Sequence, residues 1–245
     1  MHLTFSPPVS EIQVLVGVRS FQIPLGASIP VLAMEHWPLN NGDSNTAVGA
    51  AALLLNTTGT ENSAIGTAVL VHNSTGGQNT ATGAFALFTN TTGGGNTAVG
   101  FEALLSNTTA SGNTAIGNQA LEVNTTGANN TSVGAATLAN NTTGNDNTGV
   151  GLNTLFSNTD GINNTAVGRA AMGGNTQGTN NTAVGWSALA ANTTGSNNSA
   201  SGFQALVNNV ASDNTATGYN TLSSNTIGGA NTAVGGDALP EQHYG

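Results

Sequence analysis

An all-β fold, a parallel β-solenoid or β-roll of about twelve coils of 17 residues each, is predicted by three features of the chain. The block Asn-Thr-Ala-Val-Gly, two variable residues, Ala-Leu, two variable residues, Asn-Thr-Thr-Gly recurs with one period of 17 residues, apart from one step of 16. The fifth position of every block is glycine, and the ninth is leucine or methionine. A unit this short cannot bury its apolar face alone, so neighbouring units must stack. The blocks begin at Asn45, Asn62, Asn79, Asn96, Asn113, Asn130, Asn147, Asn164, Asn181, Asn198, Asn214 and Asn231.

The ninth position predicts the core. One large apolar side chain per coil at a constant phase forms an internal ladder when coils stack, and each buried side chain contributes roughly 1.5–3 kcal/mol. The third position, which holds only Ala, Ser132 or Gly149, is limited in size and is predicted to point inward. The predicted ladder consists of Leu53, Leu70, Leu87, Leu104, Leu121, Leu138, Leu155, Met172, Leu189, Leu206, Leu222 and Leu239.

The fifth position predicts a corner, because glycine in every unit suits a positive φ or a close approach of backbones. The fifteenth position is mostly glycine as well and marks a second corner, so about two short strands per coil are expected. A helix is disfavoured, because about seven residues separate Gly49 from Asn56, too few for a stable helix with its connections. The corner glycines are Gly49, Gly66, Gly83, Gly100, Gly117, Gly134, Gly151, Gly168, Gly185, Gly202, Gly218 and Gly235.

Asparagine occupies the twelfth position of every unit that reaches it, and stacked asparagine amides can hydrogen-bond along the axis of a cross-β array. These residues are Asn56, Asn73, Asn90, Asn107, Asn124, Asn141, Asn158, Asn175, Asn192, Asn209 and Asn225. Seven of them also begin an Asn-x-Thr glycosylation sequence: Asn56, Asn73, Asn90, Asn107, Asn124, Asn141 and Asn192. These asparagines therefore have two interpretations: they form a purely structural ladder, or they carry regularly spaced sugars along the rod.

The chain divides into residues 1–44, which lack the repeat, the solenoid at 45–239, and a tail at 240–245. Alternation at Ile12, Val14, Val16 and Val18 indicates a strand. Residues 1–44 are expected either to cap the first coil or to donate a strand to another copy. The tail is too short for a cap, and a small core without cysteine needs partners. Self-association is therefore expected, end to end as a filament, side by side as a trimer, or both.

Composition excludes several classes of function. Only 5% of the residues are charged, lysine is absent, and the net charge is −9, so no basic cluster can neutralise nucleic acid or anionic lipid. No apolar run reaches the roughly 20 residues of a membrane span, and no ordinary signal peptide is recognised. Four histidines share no short motif, and the acids lack a metal-ligand or catalytic spacing. The sequence predicts no catalytic residue, cofactor or metal, and hence no enzyme.

The block Asn96 to Gly100 with Ala103 and Leu104 resembles the head repeats of trimeric autotransporter adhesins and the Asn-Thr-Ala-Val-Gly repeats of phage tail-fibre proteins. The resemblance covers residues 45–239. It implies a parallel β-roll, a three-chain assembly and a surface that adheres to host matrix.

A non-enzymatic structural fibre protein is therefore the first expectation: a subunit of a self-assembling extracellular filament or of an adhesin or tail-fibre shaft, outside the cell or on a virion. Two other classes stay open. Threonine at positions 2, 13 and 14 would suit an ice-binding solenoid, although position 14 is interrupted at Asp160, Gln177, Ala211 and Ile227. Large residues at position 6, such as Trp186, would suit a carbohydrate-binding surface that recognises glycans.

Overall fold

The computed structural model describes residues 31–32 and 42–240, and all its regular elements are short strands. No helix occurs within these residues. A two-residue strand, β1, precedes twelve three-residue strands, one in each repeat. The strands are β1 Val31–Leu32, β2 Thr46–Val48, β3 Ser63–Ile65, β4 Thr80–Thr82, β5 Thr97–Val99, β6 Thr114–Ile116, β7 Thr131–Val133, β8 Thr148–Val150, β9 Thr165–Val167, β10 Thr182–Val184, β11 Ser199–Ser201, β12 Thr215–Thr217 and β13 Thr232–Val234.

All thirteen strands form one parallel sheet in which each strand pairs with its neighbours in chain order. The register never slips, so like positions face each other: Thr165 pairs with Thr182, and the alanine and valine that follow them pair in the same way. The β-solenoid predicted from the repeat is therefore confirmed. At about 4.8 Å per coil, twelve coils form a rod roughly 55–60 Å long.

Each coil has one strand and not the two that the paired corners suggested. The wall opposite the sheet is a series of turns in which positions 7 and 9 have positive φ, for example 51° at Ala136 and 52° at Leu138. The N–H of Leu138 still donates to the carbonyl of Thr154 in the next coil, at 2.9 Å. Left-handed residues interrupt the extended conformation, so this wall keeps hydrogen bonds between coils without being β-sheet.

The side chains at position 9 lie in the core. Eleven of the twelve predicted ladder residues, Met172 included, are at most 1% exposed. Leu239 differs, with 52% of its surface exposed, because no coil that the structure describes lies beyond it. Most of the remaining core consists of alanines at positions 3 and 8, such as Ala115 and Ala120, which are completely buried.

The position-5 glycines combine a positive φ with a close approach of neighbouring backbones, the two roles predicted for them. Their φ values lie between 122° and 141°. A Cβ built on Gly117 would stand 2.5 Å from the carbonyl oxygen of Gly134, which no real Cβ contact allows. At position 15 close approach is the only requirement: a Cβ on Gly127 would lie 2.3 Å from the oxygen of Gly144, while its φ is not positive.

Strand β1 comes from the segment that lacks the repeat and continues the sheet, because Val31 pairs with Ala47 and Leu32 with Val48. The first coil is thus covered along its strand edge by residues of the same chain. The predicted assembly strand at Ile12, Val14, Val16 and Val18 and the tail residues 241–245 lie outside the described residues.

Candidate functional surface

The position-12 asparagines form a buried ladder of amides. Asn124 is representative: its Nδ2 donates to Oδ1 of Asn107 at 3.0 Å and to the carbonyl of Gly127 at 2.9 Å. Its Oδ1 accepts from Nδ2 of Asn141 at 2.8 Å. All eleven members are at most 1% exposed. In the folded rod the nitrogen that would carry a sugar is buried and donates two hydrogen bonds, so the geometry favours the structural interpretation of these sequons.

The 16-residue coil interrupts this ladder. Nδ2 of Asn209 donates only to the carbonyl of Ala211, at 2.8 Å, and does not reach Asn192 in the preceding coil. Within the described part of the chain, Oδ1 of Asn192 is consequently a buried acceptor without a hydrogen-bond partner. The position-1 asparagines form a second ladder, which survives through the backbone N–H of Asn214 donating to Oδ1 of Asn198 at 3.0 Å. The missing residue therefore leaves the strand register intact and disrupts the opposite corner.

The hydroxyls at position 13 are used inside the rod. Thr125 Oγ1 donates to the carbonyl of Thr142 at 3.0 Å, and Thr142 repeats the contact to Thr159 at the same distance. The same bond recurs between most consecutive coils. These threonines hold coils together and are not the free hydroxyl rank that an ice-binding interpretation of position 13 requires.

Strands β2 to β13 present a different surface, which we name the outer face: the outward side chains at positions 2 and 4. Position 2 is threonine or serine in all twelve strands, and position 4 is valine, isoleucine, threonine or serine. From β9 to β13 both positions are exposed in every strand. Sequence reasoning considered threonine at position 2 for ice binding but did not combine it with position 4 in one face. The signal that could have identified the face is the hydroxyl in every unit two residues before a β-branched side chain.

Large side chains at position 6 lie beside the outer face, and several stack on one another. Trp186 and Phe203 have ring centroids 4.6 Å apart, and Phe203 and Tyr219 are 5.2 Å apart and nearly parallel at 15°. The rings of Phe203 and Tyr219 turn their faces toward each other. This arrangement favours packing between coils over a platform for sugar rings, although 43% of Trp186 remains exposed.

No group of three or more metal-ligating side chains occurs among the described residues. The same residues contain no helix that is long and apolar enough to cross a membrane. One carboxyl is perturbed: partial burial, and next the negative charge of Glu102, raise the pKa of Glu122. It lies on the wall opposite the outer face, at position 10. Neither the metal-ligating side chains nor this carboxyl forms a catalytic site among the described residues.

Comparisons with protein-family models, with curated proteins and with solved structures find no match. The fold itself defines the class of protein. The chain is a β-solenoid repeat protein whose coils are joined by internal amide and hydroxyl ladders.

Proposed function

We propose that this protein is a non-enzymatic structural subunit of a self-assembling extracellular filament or of an adhesin or tail-fibre shaft, and that copies join end to end. The observation that carries the proposal is the unbroken register of the parallel sheet. Each coil presents to the next the same backbone groups and the same core cross-section. A surface that binds its own successor within the chain is suited to bind the N-terminal end of another copy, where β1 continues the sheet.

The two edges of the sheet differ, which gives growth a direction. The β2 edge is paired with β1, while β13 pairs only with β12 among the described residues. In the preceding coil the N–H of Thr215 donates to the carbonyl of Asn231 at 2.7 Å. The equivalent N–H of Thr232 has no acceptor in the described chain. An edge with free donors templates the addition of a strand.

Apolar groups accompany these free donors. Val234 is 73% exposed and Leu239 is 52% exposed, whereas the leucines at the same position in the preceding coils are at most 1% exposed. Covering this cross-section with another coil removes apolar surface from water in the same step that pairs the strand edge. Location outside the cell or on a virion, and contact with host matrix or glycans, form part of the proposal through the resemblance to adhesin and tail-fibre repeats.

A proline at the edge tests this mode of assembly. Thr232→Pro removes an N–H that has no partner within the described chain, at the first residue of a strand, where proline is tolerated. Thr232→Ser is the matched control, because serine occupies the same position at Ser63 and Ser199. Electron microscopy and sedimentation should show filaments that lengthen with concentration for the parent and the serine variant. The proline variant should remain as single rods of unchanged circular dichroism.

Discrete parent monomers at high concentration would refute the proposal. Proline-variant filaments as long as those of the parent would show that growth does not use this edge. A constant mass of three chains in all variants would instead favour a side-by-side trimer.

A further inference from the structure

The outer face carries no charged side chain in strands β2 to β13, although the chain has a net charge of −9. The described acids lie at other positions of the coil, for example Glu102 at position 7 and Asp146 at position 17. A strip free of charge over twelve consecutive coils is therefore a continuous feature of the rod. It consists of one rank of hydroxyls beside one rank of mostly aliphatic side chains.

The position-2 hydroxyls are available to bind a ligand outside the protein. No side-chain hydroxyl at position 2 makes a protein hydrogen bond within the described chain, whereas those at position 13, such as Thr125, donate to the next coil. Thr165, Thr182 and Thr215 are exposed. The side-chain hydroxyls that strengthen the rod and those that face solvent are thus separate sets.

The ranks are regular and stiff. Successive strands lie about 4.8 Å apart, and positions 2 and 4 lie about 6.6 Å apart along a strand. Threonine, valine and isoleucine have restricted χ1 rotation because they branch at Cβ. The pairing of Thr165 with Thr182 and of Val167 with Val184 keeps each rank straight from coil to coil. The result is a two-dimensional array with a fixed spacing in both directions.

We infer that the outer face binds the surface of ice, a further function beyond filament assembly. Ice presents an uncharged, periodic array of water donors and acceptors. Each threonine hydroxyl can donate to and accept from that array, while the neighbouring methyl groups sit against it. The absence of charge complements an uncharged solid, because no ion has to lose its hydration shell on contact.

A second copy of the chain fits this face less well than ice. Two ranks about 6.6 Å apart along a rod of roughly 55–60 Å enclose about 360–400 Å², against about 800 Å² per partner in a stable protein interface. A dry contact would also bury a row of hydroxyls, each of which costs about 1–3 kcal/mol when it lacks a partner. A water lattice provides a partner for every hydroxyl in the row.

Freezing-point hysteresis and the habit of a single ice crystal test the inference, with purified protein at increasing concentration. Thr182→Tyr places a large ring within the exposed part of the face, on β10. Thr194→Tyr, at the exposed position 14 of the same coil, is the matched control. The parent and Thr194→Tyr should show a hysteresis gap and faceted crystals, and Thr182→Tyr should lose most of the gap while its melting temperature is unchanged.

Round, unshaped crystals and no gap with the parent would overturn the inference. Equal activity of the parent and Thr182→Tyr, or an equal loss in Thr194→Tyr, would overturn it too. Because Thr232→Pro tests assembly at the end of the rod, failure of ice binding and failure of filament growth are observed separately.

Discussion

Removing one amide from the position-12 ladder should destabilise the rod strongly in its middle and weakly at the interrupted coil. In Asn124→Ala, Oδ1 of Asn107 loses its donor and Asn141 loses the acceptor of one N–H. The carbonyl of Gly127 keeps a partner, because Nδ2 of Asn113 also donates to it at 2.9 Å. Two buried groups are thus left without partners.

An unpaired buried group costs about 1–3 kcal/mol, so the loss from these two groups is about 2–6 kcal/mol. Asn192→Ala is the matched comparison. It orphans Oδ1 of Asn175, but it also removes the Oδ1 of Asn192, which already lacks a partner. One unpaired acceptor replaces another, so the net change in the free energy of unfolding from unpaired buried groups is close to zero.

Urea unfolding followed by circular dichroism measures the difference, and hydrogen exchange locates it. In a repeat protein each coil contacts only its neighbours, so the exchange rates of residues 124–127 report the local loss directly. Asn90→Ala controls for distance from the end of the rod, since Asn90 lies in an intact ladder. It should behave as Asn124→Ala does. Equal destabilisation in all three variants, or the largest loss at Asn192, would refute the reasoning.

Four other substitutions probe the backbone, the core and one charged side chain. Ala170→Gly should stabilise the rod by about 1 kcal/mol in a thermal melt, because Ala170 has a φ of 55°. Ala171→Gly, next to it, should destabilise the rod in the same assay, because it removes a buried methyl group. Gly117→Ala should prevent correct stacking, since its Cβ meets the oxygen of Gly134 at 2.5 Å; unchanged circular dichroism and melting would contradict this. Burial and a neighbouring carboxylate raise the pKa of Glu122, so the folded chain binds its proton more readily than the unfolded chain. Stability should therefore fall as pH rises through that pKa, and Glu122→Gln should be the more stable protein above it and match the parent in acid.

Some of this arrangement was predictable because one pattern repeats. The leucine at Leu121 and the amide at Asn124 recur at one phase, and stacking coils with a constant period brings like residues together. The same argument predicts that a repeated glycine lies where backbones meet. Local pattern was enough for these positions, because their environment is generated by the neighbouring copies of the same unit.

Other positions depended on the path of the chain within one coil. No propensity assigns a left-handed conformation to Leu138, since a leucine with positive φ is costly unless packing compensates for it. The threonines at positions 2 and 13 look alike in sequence, yet Thr125 donates to the next coil and Thr165 faces solvent. Only the direction of each side chain separates the internal ladder from the outer face.

The sequence by itself determined that coils of 17 residues stack in register around leucines, because a fixed period leaves no other way to bury a recurring apolar residue. Tertiary structure alone decided that each coil has one strand, that position-13 hydroxyls are internal, and that the short coil breaks the amide ladder at Asn192. The reason is that hydrogen bonds between coils join residues 13 to 18 positions apart, and their partners depend on where each corner turns.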